Sequence, residues 1–479
     1  MTFKNYALIF IDQVNQQTPM PSQSIYRRFF IIIIVIILLS PLLYWLTGIG
    51  QAAAGLPAEV IRQPDGTLIS SPKAEALRSL SLPMRIERLL IYPLLLLTFQ
   101  LSGGSPALRH WLEERVSMIP LKASARHRRN FGIAWLSRLS PVWFKRLIPA
   151  GLGRRLTGQT LLIILSFILI FDLALFLLYL PFNFYRGFIV SHQFGLSTQT
   201  GSGWLNDWLK SVLIALATDG LLWGGFYGLM RLFPRRWPLL VGALLVIFMS
   251  VFTLLTPILI TPLFYEVRLL DDVTLRGRIL TLTERAGMPV DEVYVIDASS
   301  KTTQVNAYVA GFGKARRIVL FDTLLSGYKP DEIEVVLAHE MGHWYYRHVL
   351  LSLVGLGAVS WLGLFGLRWL LGRNWGRLGL SGPDDVAGLP YVMAIIAAAT
   401  ILSLPVQNGF SRYGEGQADA FALAVSQKPG TFIALFEQFA EQNLSVVNPP
   451  AWEKFIFYTH PPIVERIQRA EARQKAAEH

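Results

Sequence analysis

Seven apolar stretches, each at or near the length of a bilayer crossing, restrict what this 479-residue chain can fold into more than any other feature. Hydrocarbon offers no water to satisfy backbone N–H and C=O groups, so a crossing segment must satisfy its own. Runs of about 20 apolar residues do so as helices. The runs are Phe29–Ile49, Leu89–Leu101, Thr160–Leu180, Trp208–Phe233, Pro238–Leu263, Val349–Leu371 and Leu389–Pro405; the second is the shortest. Arg27 and Arg28 precede the first run and Ala52-Ala53-Ala54 follows it, an arrangement shared with secretory signals. That run is longer than a signal's apolar stretch, so it reads as an uncleaved span. With 52% hydrophobic and 16% charged residues, the composition excludes an ordinary soluble enzyme. The expected class is a mainly α membrane protein with about seven transmembrane helices and a small α+β part outside the bilayer.

The expected organisation has five parts. Residues 1–159 hold two spans and a basic loop, and 160–263 hold spans three to five. Residues 264–347 form a polar α+β domain, 348–410 hold spans six and seven, and 411–479 form a charged helical tail. Within the polar domain, Glu292–Asp297, Val305–Ala310 and Arg317–Phe321 read as strands, with a turn at Gly311-Phe312-Gly313-Lys314. Pro330-Asp331-Glu332 opens a helix with acid in its first turn.

That helix carries His339-Glu340-Met341-Gly342-His343 in a chain with only 8 histidines. Positions i and i+4 share a helix face, so the two imidazoles can grip one zinc ion, and the intervening glutamate can take a proton from a water there. The chain has no cysteine, so any zinc is held by histidine and carboxylate, the pattern of a catalytic site. Such a site needs a third protein ligand. The best candidates stand in Glu415-Gly-Gln-Ala-Asp419, again at i and i+4. One of these carboxylates can bind metal while the other orients a ligand histidine through its free ring nitrogen. Spacing alone equally allows a solvated acidic pair.

His339-Glu-Met-Gly-His-Trp344, Glu415-Gly-Gln-Ala-Asp-Ala-Phe-Ala422 and Thr459-His-Pro-Pro462 together resemble the Ste24-type integral-membrane zinc proteases, the CAAX prenyl proteases of peptidase family M48. Phe194-Gly-Leu-Ser197, Asn306-Ala-Tyr308 and Arg317-Ile-Val-Leu-Phe-Asp-Thr-Leu-Leu325 extend the resemblance in unbroken order over about residues 160–470. It implies a zincin-like catalytic domain and helices enclosing a water-filled chamber, which Asp172, Asp207, Lys210 and Asp219 could line; burial at a helix–helix contact or a place at the water interface fits them equally. It further implies that His339, His343 and Glu415 ligate one Zn²⁺ and that Glu340 is the general base. Asp419 would orient a ligand histidine, His460 would stabilise the oxyanion, and Arg466 would assist nearby. Asn306 and Ala307 would align the substrate backbone on an edge strand. The chain departs from the family at Ser191-His192-Gln193, at Gln304-Val305, and at Gly414 and Gly416, where bulkier residues are common; these departures bear on substrate preference.

The expected activity is zinc-dependent endoproteolysis of a peptide or protein substrate, lipidated or not, by an enzyme set in the lipid bilayer. The alternatives are a quality-control protease similar to the HtpX group, without prenyl preference, and a non-catalytic membrane scaffold. Residues 103–159 hold eleven Lys/Arg, among them Arg126, Arg128 and Arg129, against two Glu. No aromatic or base-reading motif accompanies them, so they argue for lipid headgroups and not for nucleic acid. The N-terminal segment, this loop, Arg231-Leu-Phe-Pro-Arg235-Arg236 and the Arg368–Arg377 segment share one side of a seven-span arrangement. Positive charge favours the cytoplasm, which expects the multi-pass protein in the cell membrane with its zinc site outside. Eukaryotic relatives resemble the reverse.

Overall fold

The computed structural model describes residues 21–119, 156–288, 290, 292–311 and 316–478. Most of the expected basic loop, including Arg126, Arg128 and Arg129, lies outside the described residues, as do Phe312, Gly313 and Lys314 of the expected turn.

The chain is mainly helical. Its principal helices are α1 (Pro21–Leu46), α2 (Pro72–Leu101), α3 (Gly104–Ser117), α4 (Gly158–Phe184), α5 (Gly201–Leu232), α6 (Trp237–Leu255) and α7 (Val273–Arg285). They continue with α8 (Pro330–Tyr345), α9 (His348–Asn374), α10 (Leu389–Ser426), α11 (Pro429–Gln442), α12 (Ala451–Phe457) and α13 (Ile463–Glu478). Among the described residues, six helical stretches are long and apolar enough to cross a membrane: Gln23–Leu46, Gly158–Gln193, Gly201–Leu232, Trp237–Phe264, His348–Leu378 and Val386–Ser426. Their outward faces are apolar: Leu402 is 80% exposed, Leu362 74% and Leu213 68%, which water would penalise and acyl chains would not. The expected span Leu89–Leu101 forms the end of α2, whose 30 residues include Arg85, Glu87 and Arg88 and are less apolar than the six. A second buried cluster, from Leu96 and Ile164 to Tyr227, Leu367 and Val392, holds the helices together.

Strands β1 (Ile61–Arg62) and β2 (Leu68–Ile69) form an antiparallel pair of their own, and the α+β part is built on a four-stranded sheet in the order β3-β4-β6-β5, from β3 (Val267–Leu269), β4 (Val293–Ile296), β5 (Ala307–Ala310) and β6 (Arg317–Phe321). Only β4 and β6 run parallel; β3 and β5 are antiparallel edges. The three expected strands are present, and β3 is one that the residues 267–269 do not advertise by alternation. Ile279, Val293, Ile318, Leu337, Met341, Phe432 and Ile467 join sheet, α7, α8, α11 and α13 into one core. α10 is a single helix of 38 residues with Pro405 inside. At about 57 Å it is far longer than the roughly 30 Å of hydrocarbon, so the apolar half crosses and the other half reaches this core. It therefore passes unbroken across the expected boundary at 410–411.

Candidate metal centre

The site forms where α8 lies against the second half of α10. The two helices meet closely because position 342 is glycine: a Cβ there would stand 2.8 Å from Ala418 Cα, in backbone that cannot swing aside. This contact brings Glu415 to both histidines of α8. His339 Nε2 and His343 Nε2 face each other at 3.1 Å. Glu415 Oε2 is 3.2 Å from His339 Nε2, and Oε1 is 3.4 Å from His343 Nε2. A tetrahedral ion with ligand distances of about 2.0–2.1 Å has ligand–ligand edges of about 3.3 Å, close to all three separations. His339, His343 and Glu415 thus have the spacing of a metal-binding group.

The outer ring nitrogens explain why a cation suits this cluster. His339 Nδ1 lies 2.9 Å from Asp419 Oδ1. A carboxylate there is an acceptor, so the proton sits on Nδ1 and Nε2 presents a lone pair. His343 Nδ1 lies 2.9 Å from His348 Nδ1, and His348 Nε2 lies 3.1 Å from Gln417 Oε1. Gln417 donates its amide to Tyr413 Oη at 3.4 Å, which fixes its carbonyl toward His348. The chain of donors then runs from His343 through His348 to Gln417, leaving His343 Nε2 a lone pair as well. Two lone pairs and a carboxylate converge, and Glu415 Oε2, itself buried, has no hydrogen-bond partner. That donor set fits a divalent ion. Without one, burial disfavours the charged ring of His339, but the carboxylates of Asp419 and Glu415 beside it outweigh that and raise its pKa to about 9.

The other expected residues gather around this cluster. Glu340 is half-buried beside it, and burial pushes its carboxyl up. Arg466 Nε donates to Asp419 Oδ2 at 2.9 Å, and its Nη2 bonds the other oxygen. The guanidinium stacks 3.9 Å over Phe436 and reaches within 3.3 Å of His339 Nδ1. His460 Nε2 stands 3.3 Å from Glu415 Oε1, on the loop between α12 and α13. Asn306 immediately precedes β5 and Ala307 begins it; β5 is an outer strand and packs against α8. The Asn306 carbonyl accepts from Phe321 N at 3.1 Å, and Ala307 is buried. Of the intramembrane charges, Asp207 pairs with Lys301 and accepts from Gln199, and Lys210 donates to the Leu263 carbonyl, all at span ends beside the sheet domain.

Three features escape sequence reasoning. His348 and Gln417 support His343. Arg412 donates to the carbonyls of Lys454 and Tyr458, at 2.9 and 2.6 Å, and so ties the His460 loop to α10. Gly414 makes room for the His348 ring, since a Cβ would lie 3.3 Å from its Cε1. Gly414 is thus a fitted departure.

An HExxH helix, a carboxylate from a second helix and six segments long and apolar enough to cross a membrane are the features of a membrane metalloprotease. Comparison with known proteins agrees. Residues 270–474 match the model of peptidase family M48, and 90–266 match the CAAX prenyl protease N-terminal module, described as five membrane helices. An uncharacterized metalloprotease of Bacillus subtilis is 33% identical over 66% of this chain and 74% of its own length. A CAAX prenyl protease 1 homolog of Oryza sativa is 32% identical over 61% of this chain and 69% of its own. The fold matches the crystal structure of S. mikatae Ste24p with a TM-score of 0.62 at 22% identity, covering 79% of this chain and 99% of that one. The chain belongs to peptidase family M48, in its Ste24-type membrane branch.

Proposed function

We propose that the chain is a zinc endopeptidase in which His339, His343 and Glu415 hold the ion and Glu340 moves the proton. Bound zinc would polarise the scissile carbonyl and acidify a water molecule. Glu340, next to a ligand on the same helix, accepts the water proton and delivers it to the leaving amine. His460 and Arg466 stand on the side of Glu415 and Asp419, where a donor stabilises the oxyanion and a buried cation steadies its neighbours. Asn306 and Ala307 offer the free edge of β5 to an extended substrate. The observation that carries this reading is the set of three ligand separations near a tetrahedral edge. Glu340→Gln should retain the metal and lose about 10²–10⁴ in turnover. Full activity in that variant sinks the assignment.

For substrate, the names of the plant and fungal relatives favour a peptide ending in a prenylated CAAX sequence. Paired prenylated and unprenylated peptides, assayed with and without chelator, test this; equal cleavage would favour the quality-control reading.

We further propose that α2 is a seventh crossing and that the helices enclose a polar chamber beside a zincin-like domain. Near its start, α2 is tied to the metal-site side through Val447 N to Ser70 Oγ and Arg78 to Glu453. At its end, Gln100 donates to the Leu378 carbonyl beyond α9. Arg27, at the start of α1, donates to the Ser102 carbonyl at that same far end. These contacts support seven crossings with the N-terminal side and the metal site on opposite faces, hence a site outside the cytoplasm. A reporter fused after α13 that is active only in the cytoplasm contradicts this. Asp172, buried in α4 with one carboxylate oxygen unpartnered, supports a polar interior.

A further inference from the structure

At the end of the helices away from the metal site lies a basic recess that the peptidase chemistry does not use. A cavity of about 530 Å³ is lined by Arg231, Trp237, Arg368, Leu371 and Asp384 among others. A shallow, open depression adjoins it through Arg368 and Gly372 and adds Phe365, Trp369 and Arg373. The recess sits between the end of α5, the start of α6 and the end of α9. Arg368 is twenty positions along α9 from His348, or about 30 Å at 1.5 Å per residue, the thickness of the hydrocarbon layer. In the span arrangement proposed above, on which this inference rests, the cavity opens at the headgroup level of the leaflet opposite the metal site.

Its charge is unbalanced. Arg231 Nε faces Asp384 Oδ2 at a loose 3.5 Å, and Arg368 donates to the Arg235 carbonyl. Among the described residues, no acid pairs with Arg235, Arg236, Arg368, Arg373 or Arg377. The remaining nearby acid, Asp385, is buried and pairs with Arg109. Below the recess, toward the bilayer centre, Leu239, Leu362 and Phe365 are 52%, 74% and 46% exposed, and Trp369 on the rim is 64% exposed. Guanidinium forks match phosphate oxygens, and an apolar surface directly beneath them matches acyl chains. A free phosphate would use only the first of these features.

We propose that this recess binds one anionic glycerophospholipid, with its phosphodiester between Arg231 and Arg368 and its chains along α6 and α9. The proposal does not depend on the peptidase chemistry. The test is native mass spectrometry of the full-length protein in detergent, titrated with dioleoylphosphatidylglycerol, with dioleoylphosphatidylcholine, and with inorganic phosphate as competitor. Phosphatidylglycerol should be retained at least about tenfold over phosphatidylcholine, and the Arg231→Gln/Arg368→Gln pair should remove that preference. Asp384→Asn, which removes a carboxylate competing with the phosphate, should raise retention, a gain that misfolding cannot produce. Arg268→Gln, at the metal-site end, should change nothing. The proposal is overturned by equal retention of both lipids, by an unchanged double variant, by an equal loss in Arg268→Gln, or by inorganic phosphate displacing the lipid at equal concentration.

Discussion

His339 and His343 stand one turn apart on α8, yet their outer nitrogens are held in different ways. His339 leans on Asp419, a fully buried carboxylate gripped by Arg466. His343 leans on a neutral relay of His348, Gln417 and Tyr413 at the edge of the membrane helices. The first flank is an ion pair inside the protein core, where each charge needs the other. The second is a set of uncharged donors, each replaceable at modest cost. Both flanks draw on α10, so the difference teaches that one histidine is held through Arg466 of α13 and the other through His348 at the start of α9.

The largest expected effect breaks the charged flank. Asp419→Ala leaves the Arg466 guanidinium, 8% exposed, without its partner. An uncompensated buried charge costs about 3–5 kcal/mol. Thermal unfolding of the metal-free protein should fall accordingly, and metal affinity should drop by about 10–100-fold. An unchanged melting temperature would show that Arg466 finds another partner. Next comes Gly342→Ala, which strikes both flanks together. The added methyl must part α8 from Ala418, at about 1–3 kcal/mol for an overpacked contact, and draws Glu415 from both histidines. Reduced metal content with the fold retained is the expected outcome; unaltered content would mean that α10 yields without moving Glu415.

The neutral flank should give less. His348→Ala should weaken metal binding by about tenfold, the low end for a residue that orients a ligand, and leave stability almost untouched. His348→Asn, which restores an acceptor near His343 Nδ1, should recover part of that loss. A merely structural His348 would move the melting temperature instead. If both flanks respond equally, the contrast between them fails.

The two flanks also differ in how far the residues alone disclose them. Helix periodicity puts His339 with His343 and Glu415 with Asp419, each pair at i and i+4 on a continuous helix, while the part each carboxylate plays is implied only by the family resemblance. His348 stands at i+5 from His343, which on a continuous helix points well away. It touches His343 because the chain breaks at Arg347, whose φ of 56° is left-handed, and α9 then starts in a new direction. No glycine or proline marks that break. Six of the seven expected spans stand as long apolar helices, whereas Leu89–Leu101 is the end of α2, which carries Arg85, Glu87 and Arg88 ahead of it. Joining α10 across 405–415 required seeing Pro405 tolerated within a helix, against its usual effect.

The smallest expected effect lies at the base of α8, where support is common to both flanks. Glu334, 7% exposed, accepts from Arg278 Nε at 2.7 Å and from Lys428 Nζ at 2.5 Å, and Asp331 pairs with the same two cations. Burial raises the Glu334 pKa, but these bonds outweigh it and hold it below the usual range. Asp331 is lowered by Lys428 and then Arg278. A carboxylate whose folded pKa is depressed adds stability that is complete above its unfolded pKa, about 4, and is lost as pH falls through the folded value. The wild-type melting temperature should therefore hold from about pH 7 to pH 5 and decline below about pH 4. Lys428→Met should cost about 1 kcal/mol or less at neutral pH, since the lysine is partly exposed and Arg278 remains. Its decline in acid should be shallower, because less depressed carboxylates have less to lose. Metal affinity at neutral pH should not change, since the network anchors the first turns of α8 and leaves both flanks in place. A selective loss at either flank would place this network within the metal centre's own support.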